Sequence, residues 1–559
     1  MNAKPLPARP SLEQYKKQAK DLVRLFRAAQ SSKLPDSEVI QRVKQKHPRF
    51  ADLAEGAIGS TKFRLADAQF VIALEHGFRS WPRFAKHIEA LVCANFAASV
   101  DNPVGAFIEA ACVPRDAMHS SGTLERAEAI LAAYPAVANA DIHTAAILGD
   151  SGAVRRFLAA DARNATAKGG PYGWDALTHL CFSRYLRLDR ARSQRFIDAT
   201  TALLDAGADP NSGWTETNHE PHPEWESAIY GAAGIAHHPG VTRLLLERGA
   251  DPNDGETPYH VVETYENTVM KILVESGKLN DTSRTTLLLR KADWHDFEGI
   301  KWLLEHGADP NRATQWGRTA FHHAVLRDNS SEILEVLLEH GADPTLFTEL
   351  RDARQTAGPA MSGLAMAARR GRGDLLEMIE RRGIAIELPG VERLIAACAR
   401  NDSAAVRDIR EQEPKLVREL LTQGGKLLAE FAGVGNTDGV RQLLDLGIDV
   451  NCVTEDGDPY FDIAKNSTAL HSAAWRAWPS TVTFLIERGA PVNALDGKGR
   501  SALALAVRAC VDSYWIWRRT PESVEALLKA GASVRSVEYP SGYPEVDALL
   551  RVHGAGSLA

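Results

Sequence analysis

One nonapeptide, written seven times with small changes, sets the terms for the rest of this 559-residue chain. It reads "LLDAGADPN" at 203–211, "LLERGADPN" at 245–253, "LLEHGADPN" at 303–311, "LLEHGADPT" at 337–345, "LLDLGIDVN" at 443–451, "LIERGAPVN" at 485–493 and "LLKAGASVR" at 527–535. Its glycines are spaced by 42, 58, 34, 106, 42 and 42 residues, and the weaker copies "LVESGKLND" (Gly277) and "IERRGIAIE" (Gly383) divide the two longest steps. The unit is therefore roughly 30–34 residues, lengthened in places by about nine. A chain of this length exceeds what one core can bury, so an array of units is the economical reading.

A second pattern comes about 22 residues before each nonapeptide: "SAIYGAA" (227–233), "TPYHVVE" (257–263), "TAFHHAV" (319–325), "SGLAMAA" (362–368), "TALHSAA" (468–474) and "SALALAV" (501–507). Ser or Thr caps the free N–H groups of a short helix, small residues let helices approach closely, and a second helix ends in Leu-Leu before a glycine C-cap. Helices this short cannot bury their own apolar faces and must stack on neighbours.

With these motifs the chain resembles the ankyrin repeat family, whose pattern runs DxxGxTPLHxAAxxG and then LLxxGADxN; "TQWGRTAFHHAV" and "DGKGRSALALAV" match it most fully. The resemblance covers about residues 97–559 and implies an all-α fold, an ankyrin-repeat solenoid of helix-turn-helix units with loop fingers, after a small helical domain. The expected organisation is a flexible tail (1–10), a helical N-terminal domain (11–96), an array of about twelve units (97–534) with degenerate copies, and a C-terminal capping unit (535–559). The family resemblance also assigns His143, His260, His322 and His471 a structural role, tying turn to helix. It further implies a non-catalytic scaffold, monomeric, binding another protein across a groove and its fingers. The positions it places there are Gln315, Trp316, Arg318, Leu326 and Arg327, then Arg369, Arg370 and Arg400, then Trp475, Arg476, Lys498, Arg500 and Arg508. Basic side chains at those positions on an acidic body suit an acidic partner segment, with Trp316 and Trp475 as anchors. The competing reading is that these arginines pair with neighbouring Asp and Glu.

Charge is unevenly spread. Residues 1–50 carry +8, residues 51–95 are balanced, and the total of −7 leaves −15 for residues 96–559. The basic head contains "SLEQYKKQAKDLVRLFRAAQ" (11–30), an amphipathic helix with Leu12, Tyr15, Ala19, Leu22, Val23 and Phe26 on one face and Lys16, Lys17, Lys20, Arg24 and Arg27 outside. Residues 65–92 read as helix, Gly77 turn, then a helix capped by Ser80 with Pro82 in its first turn. This leader also resembles the helical segment before ankyrin arrays in many bacterial proteins. A helix-turn-helix that binds nucleic acid is the alternative reading, but Trp81, Phe84 and Ile88 look like core, which favours a plain helical hairpin.

Chemistry is harder to find. No phosphate loop, GxSxG elbow, GxGxxG or HExxH occurs, and "EDGDPYFD" (455–462) only loosely imitates a calcium loop, so no cofactor is expected. Six scattered cysteines and no apolar run of 18 residues suit a reducing cytoplasm and no membrane span. The exception is "WTETNHEPHPEWES" (214–227), where His219 and His222 crowd among Glu220, Glu224 and Glu226. A metal-dependent enzyme centred on this loop is the least favoured reading, because the histidines are three apart and Pro221 and Pro223 forbid a regular helix between them. The stretch is expected instead to be an exposed finger presenting Trp214, His219, His222 and Trp225, with no metal bound.

Overall fold

The computed structural model describes residues 3–7, 9–31, 37–51, 61–115, 118–218, 223–314, 316–351 and 357–555. Contacts divide the chain into two units, one of residues 1–261 with 266–279, the other of residues 262–265 with 280–559.

The first unit opens with helices α1 (Leu12–Ser31), α2 (Glu38–Lys46), α3 (Leu65–Glu75) and α4 (Trp81–Ala98). The apolar stripe of α1 is buried as its periodicity requires: Tyr15, Ala19, Leu22, Val23 and Phe26 join Ile40, Val43, Val71, Phe84 and Ile88 in one core, with Leu12 and Trp81 against it. Within residues 1–10, expected as a flexible tail, the Lys4 N–H donates to the Glu75 carbonyl (2.8 Å), the His76 Nδ1 meets the Lys4 carbonyl (2.9 Å), and Leu6 packs on the core. Helix pairs follow, among them Ile142–Ile147 with Ser151–Ala160 and Ala176–Cys181 with Ser193–Asp205.

The second unit continues the pairing, for example Ala320–Leu326 with Ser331–Glu339, Gly363–Arg369 with Gly373–Arg381, and Ala469–Trp475 with Pro479–Glu487. Ser or Thr side chains accept N-terminal N–H groups as expected at Ser227, Thr319, Ser362 and Ser501. Thr257 does not cap; the Asp254 carboxylate accepts its N–H at 2.7 Å instead. The nonapeptide glycines, such as Gly307 (φ 83°) and Gly489 (φ 87°), sit in the left-handed region with open space around them, so conformation rather than crowding demands glycine there.

Three lengthened fingers fold into two-stranded antiparallel hairpins, which the helical periodicity did not foretell: β1 (Gly213–Glu216) with β2 (Glu224–Ser227), β3 (Phe347–Arg351) with β4 (Ala357–Ser362), and β5 (Val453–Thr454) with β6 (Ser467–Thr468).

The asparagine that ends the nonapeptide ties one unit to the next. Asn311 donates to the Gly341 carbonyl (2.7 Å) and accepts from the Asp343 N–H (2.7 Å); Asn493 does the same to Gly531 and Ser533, and Asn211 to Gly249 and Asp251. The repeat histidines divide. His471 accepts the Thr468 N–H at Nδ1 (3.1 Å), so its Nε2 carries the proton toward the Ala494 and Arg500 carbonyls. His322 likewise joins Thr319 Oγ1 to the Met361 carbonyl. His260 instead pairs with Glu256 (3.1 Å), and His143 stands 5.1 Å from His179, whose Nδ1 meets the Asp175 carbonyl.

Two predictions follow from these ties. Asn311→Ala removes both inter-unit bonds and should cost about 1–2 kcal/mol in urea unfolding, discounted for partial exposure; no change would show that stacking alone sets the spacing. Burial also lowers the pKa of His47, His143, His179, His238, His295, His322, His323 and His471. Their stabilisation is present above the ordinary histidine pKa of 6.5 and is lost as pH falls below it, because only the unfolded chain takes up those protons. Glu226 and Asp254, whose pKa values are raised, act in the opposite sense but are outnumbered. The unfolding free energy from urea titration should therefore fall between pH 7.5 and 5.5, by about 1.4 kcal/mol per pH unit for each net proton refused, and the fall should be shallower in a His322→Gln, His471→Gln variant.

Candidate functional site

The two described arms of the stretch 214–227 pair as antiparallel strands, and the pairing decides where their side chains go. Trp214 faces Glu226 across the ladder and Glu216 faces Glu224, so the strand alternation puts these four on one side and Thr215 with Trp225 on the other. Trp214, expected at an exposed tip, is buried, 5.2 Å from the Trp174 ring. Trp225 is 44% exposed. His219 and His222 lie outside the described residues, as does Gln315.

In the second unit the basic residues expected to line a groove are largely engaged by carboxylates of the same chain. Arg327 Nε donates to Asp293 (2.5 Å), which also receives His323 Nε2 (2.8 Å) and Arg290. Burial alone would raise the Asp293 pKa, but the His323 hydrogen bond and the charges of Arg327 and Arg290 outweigh it and hold the carboxyl well below the usual carboxylate range. Arg369 meets Glu392, Arg370 meets Glu430 (2.6 Å) and Asp458 (3.3 Å), and Arg400 meets Glu380. Arg476 and Arg372 share Asp328. Lys498, Arg500 and Arg508 converge on Asp462, with Arg500 also on Asp496. Trp316 and Arg318 are half-buried.

Two loops cover part of this charged surface. Tyr460 reaches the Asp293 carbonyl with its hydroxyl (3.0 Å) under the Arg327 guanidinium (3.8 Å to the ring), and Phe461 lies beneath Arg476 (4.1 Å) and Arg370 (5.2 Å). Trp475, read as an aromatic anchor, is buried, with its indole N–H on the Phe461 carbonyl (2.5 Å). Two of the three aspartates of the pseudo-calcium loop, Asp458 and Asp462, are thus engaged by arginines and a lysine. The second loop, 513–519, places Trp515 against Phe461 and Arg518 over the Trp478 ring (4.0 Å), yet leaves Ile516 (66%) and Trp517 (67%) exposed. Beside it opens a cleft of about 460 Å³ whose lining mixes three arginines (Arg372, Arg400, Arg518) with four acids (Asp328, Asp374, Glu377, Asp438), next to Asn436 and Trp478.

A second cluster, in the first unit, was not visible in the sequence. His119 Nε2 lies 3.3 Å from a Glu216 carboxylate oxygen, and its Nδ1 lies 2.9 Å from the Tyr230 hydroxyl and 4.0 Å from Glu226. Glu226 is wholly buried, and among the described residues neither of its carboxylate oxygens has a hydrogen-bond partner. Burial, then the charges of Glu256 and Glu216, pushes its pKa up to about 9. The strand alternation could have placed Glu216 beside Glu226; nothing local points to His119.

Among the described residues no helix is long and apolar enough to cross a membrane. The crystal structure of the human ASB11 ankyrin repeat domain is similar at 21% identity, over 49% of this chain and 98% of that one, with a TM-score of 0.22. Residues 288–338 match the family model for ankyrin repeats in many copies, and residues 427–537 the model for three copies. The chain thus contains ankyrin repeats, set in a mostly helical fold with a helical N-terminal region.

Proposed function

We propose that the chain is a non-catalytic scaffold that binds another protein through the second unit, at the loop 513–519 and the cleft beside it. The observation that carries this reading is the exposure of Ile516 and Trp517 next to Arg518, which itself lines the cleft. Large apolar side chains held in water beside a polar cleft are what a contact surface presents, and Trp with Arg dominates such contacts. Arg518 Nη1 is buried without a hydrogen-bond partner, so an acidic side chain entering the cleft would satisfy it. Lys498 and Arg508, both partly exposed beside Asp462, keep positive charge on the same unit. A single acidic side chain of the partner at Arg518, flanked by apolar residues on Ile516 and Trp517, fits these features, since the cleft already holds Asp374, Glu377 and Asp438. The paired arginines Arg327, Arg369, Arg370, Arg400 and Arg476 support the surface in this reading rather than contact the partner, while Trp225 offers a finger contact in the first unit. Unpaired cysteines, four of them buried, suit the cytoplasm as the place of action.

Affinity purification with mass spectrometry from the cells that make the protein identifies the partner, and variants then test the surface. Ile516→Ala with Trp517→Ala should weaken binding by about 2–4 kcal/mol, at least 30-fold in Kd, with the melting curve unchanged because both side chains are exposed. Equal partner recovery by a chain altered at Ile516, Trp517, Lys498 and Arg508 together would remove the proposal.

A further inference from the structure

The first unit contains a site that the scaffold reading does not use. We propose that His119, Glu216 and Glu226 bind one divalent transition-metal ion of the zinc type.

The donor set comes first. One ligand atom from each residue can be chosen so that all lie within 4.8 Å of one another. His119 Nε2 and the Glu216 oxygen are 3.3 Å apart, about the edge of a tetrahedron whose ion sits roughly 2.0–2.1 Å from each ligand. Glu226 must draw in to complete the set, and no hydrogen bond holds its carboxylate against that rotation. Imidazole with two carboxylates brings two negative charges to a divalent ion, the donor chemistry that zinc and manganese accept.

Glu226 supplies the independent observation. A carboxylate wholly out of water with both oxygens unsatisfied costs several kcal/mol, and folded chains retain such a group where a cation or a proton compensates it. Beyond burial, the charges of Glu256, Glu216 and Asp254 disfavour a bare carboxylate at Glu226, which His260 only partly offsets, and a bound cation answers that charge as a proton would.

The supporting shell is also in place. Binding through Nε2 leaves the His119 Nδ1–H to donate to the Tyr230 hydroxyl, the outer bond that fixes the ring of a metal-bound histidine. Tyr230 is set by its N–H on Ser227 Oγ (3.0 Å) and precedes a π-helical turn, Gly231–Ile235, a local widening that recurs at functional positions. Trp214, in edge contact with His119, closes one side with an apolar wall.

The test uses the full chain without a histidine tag, stripped with chelator and titrated at pH 7.5 with zinc sulfate, then manganese chloride. Elemental analysis after gel filtration should find about one zinc per chain, and zinc should raise the melting temperature. His119→Ala and Glu216→Gln should each lower zinc affinity by about 100-fold or more while the stripped variants melt like the stripped wild type; Glu216 is partly exposed, so that variant is expected to fold. Two results overturn the proposal: a stripped wild type that takes up neither zinc nor manganese, in which case a Glu226→Gln variant as stable or more stable assigns Glu226 to a buried neutral acid; or stoichiometric zinc retained by the His119→Ala, Glu216→Gln double variant. Because the readout is metal content and melting, it is independent of whether the loop 513–519 binds a partner.

Discussion

A helix of seven to ten residues buries almost nothing by itself, and this chain is built mostly from such helices. Every other feature follows from that deficit. Each pair must lay its apolar face on the next, so small residues such as Ala324, Ala367 and Ala473 sit fully buried where helices meet. Because each unit completes its neighbour, the turns between them must keep a constant spacing. The asparagines at 211, 311 and 493 meet that need by holding consecutive turns together, and the glycine before each supplies the left-handed residue that ends the helix.

Stacking also determines what becomes of the charges. Side chains from successive units fall into register on one surface, so a carboxylate of one unit meets a guanidinium of another far along the chain. Arg476 reaches Asp328 across 148 residues, and Tyr460 reaches Asp293 across 167. Arg370, Arg372 and Arg476 are nearly out of water and could not remain charged there alone. Their pairing with Asp328, Glu430 and Asp458, and the aromatic rings laid over them, turn a surface that looks adhesive in sequence into an internally neutralised one. Ile516 and Trp517, in the loop beside them, stay exposed.

The lengthened fingers show the same logic at a smaller scale. An insertion of about nine residues into a turn has no helix to join, and its backbone groups satisfy one another by forming a hairpin. Once 213–227 pairs in this way, strand alternation sends Trp214, Glu216 and Glu226 to one side and Trp225 to the other. A carboxylate is thereby buried for reasons of register, and His119 with Tyr230 completes its surroundings.

The repeat was legible in the sequence because it is local and recurs: Gly at the helix end, Ser or Thr at the helix start, Leu-Leu before the turn. So was the apolar face of α1, since a helical period needs no knowledge of what it packs against. The histidines of 319–322 and 468–471 were legible through the motif, whereas His143 and His260 share the motif and make other contacts, because neighbours outside it decide. The candidate sites were much less legible. Spacing placed Arg370 and Arg476 at related positions but could not supply their partners, and the loop 513–519 carries no motif. Thus the sequence alone determined the unit, its caps and its repeat length, which depend on interactions within some thirty residues. Only the tertiary structure decided which cations are neutralised, which aromatics stay in water and that His119 meets Glu216 and Glu226, because those contacts join residues whose separation in the chain leaves no periodic trace.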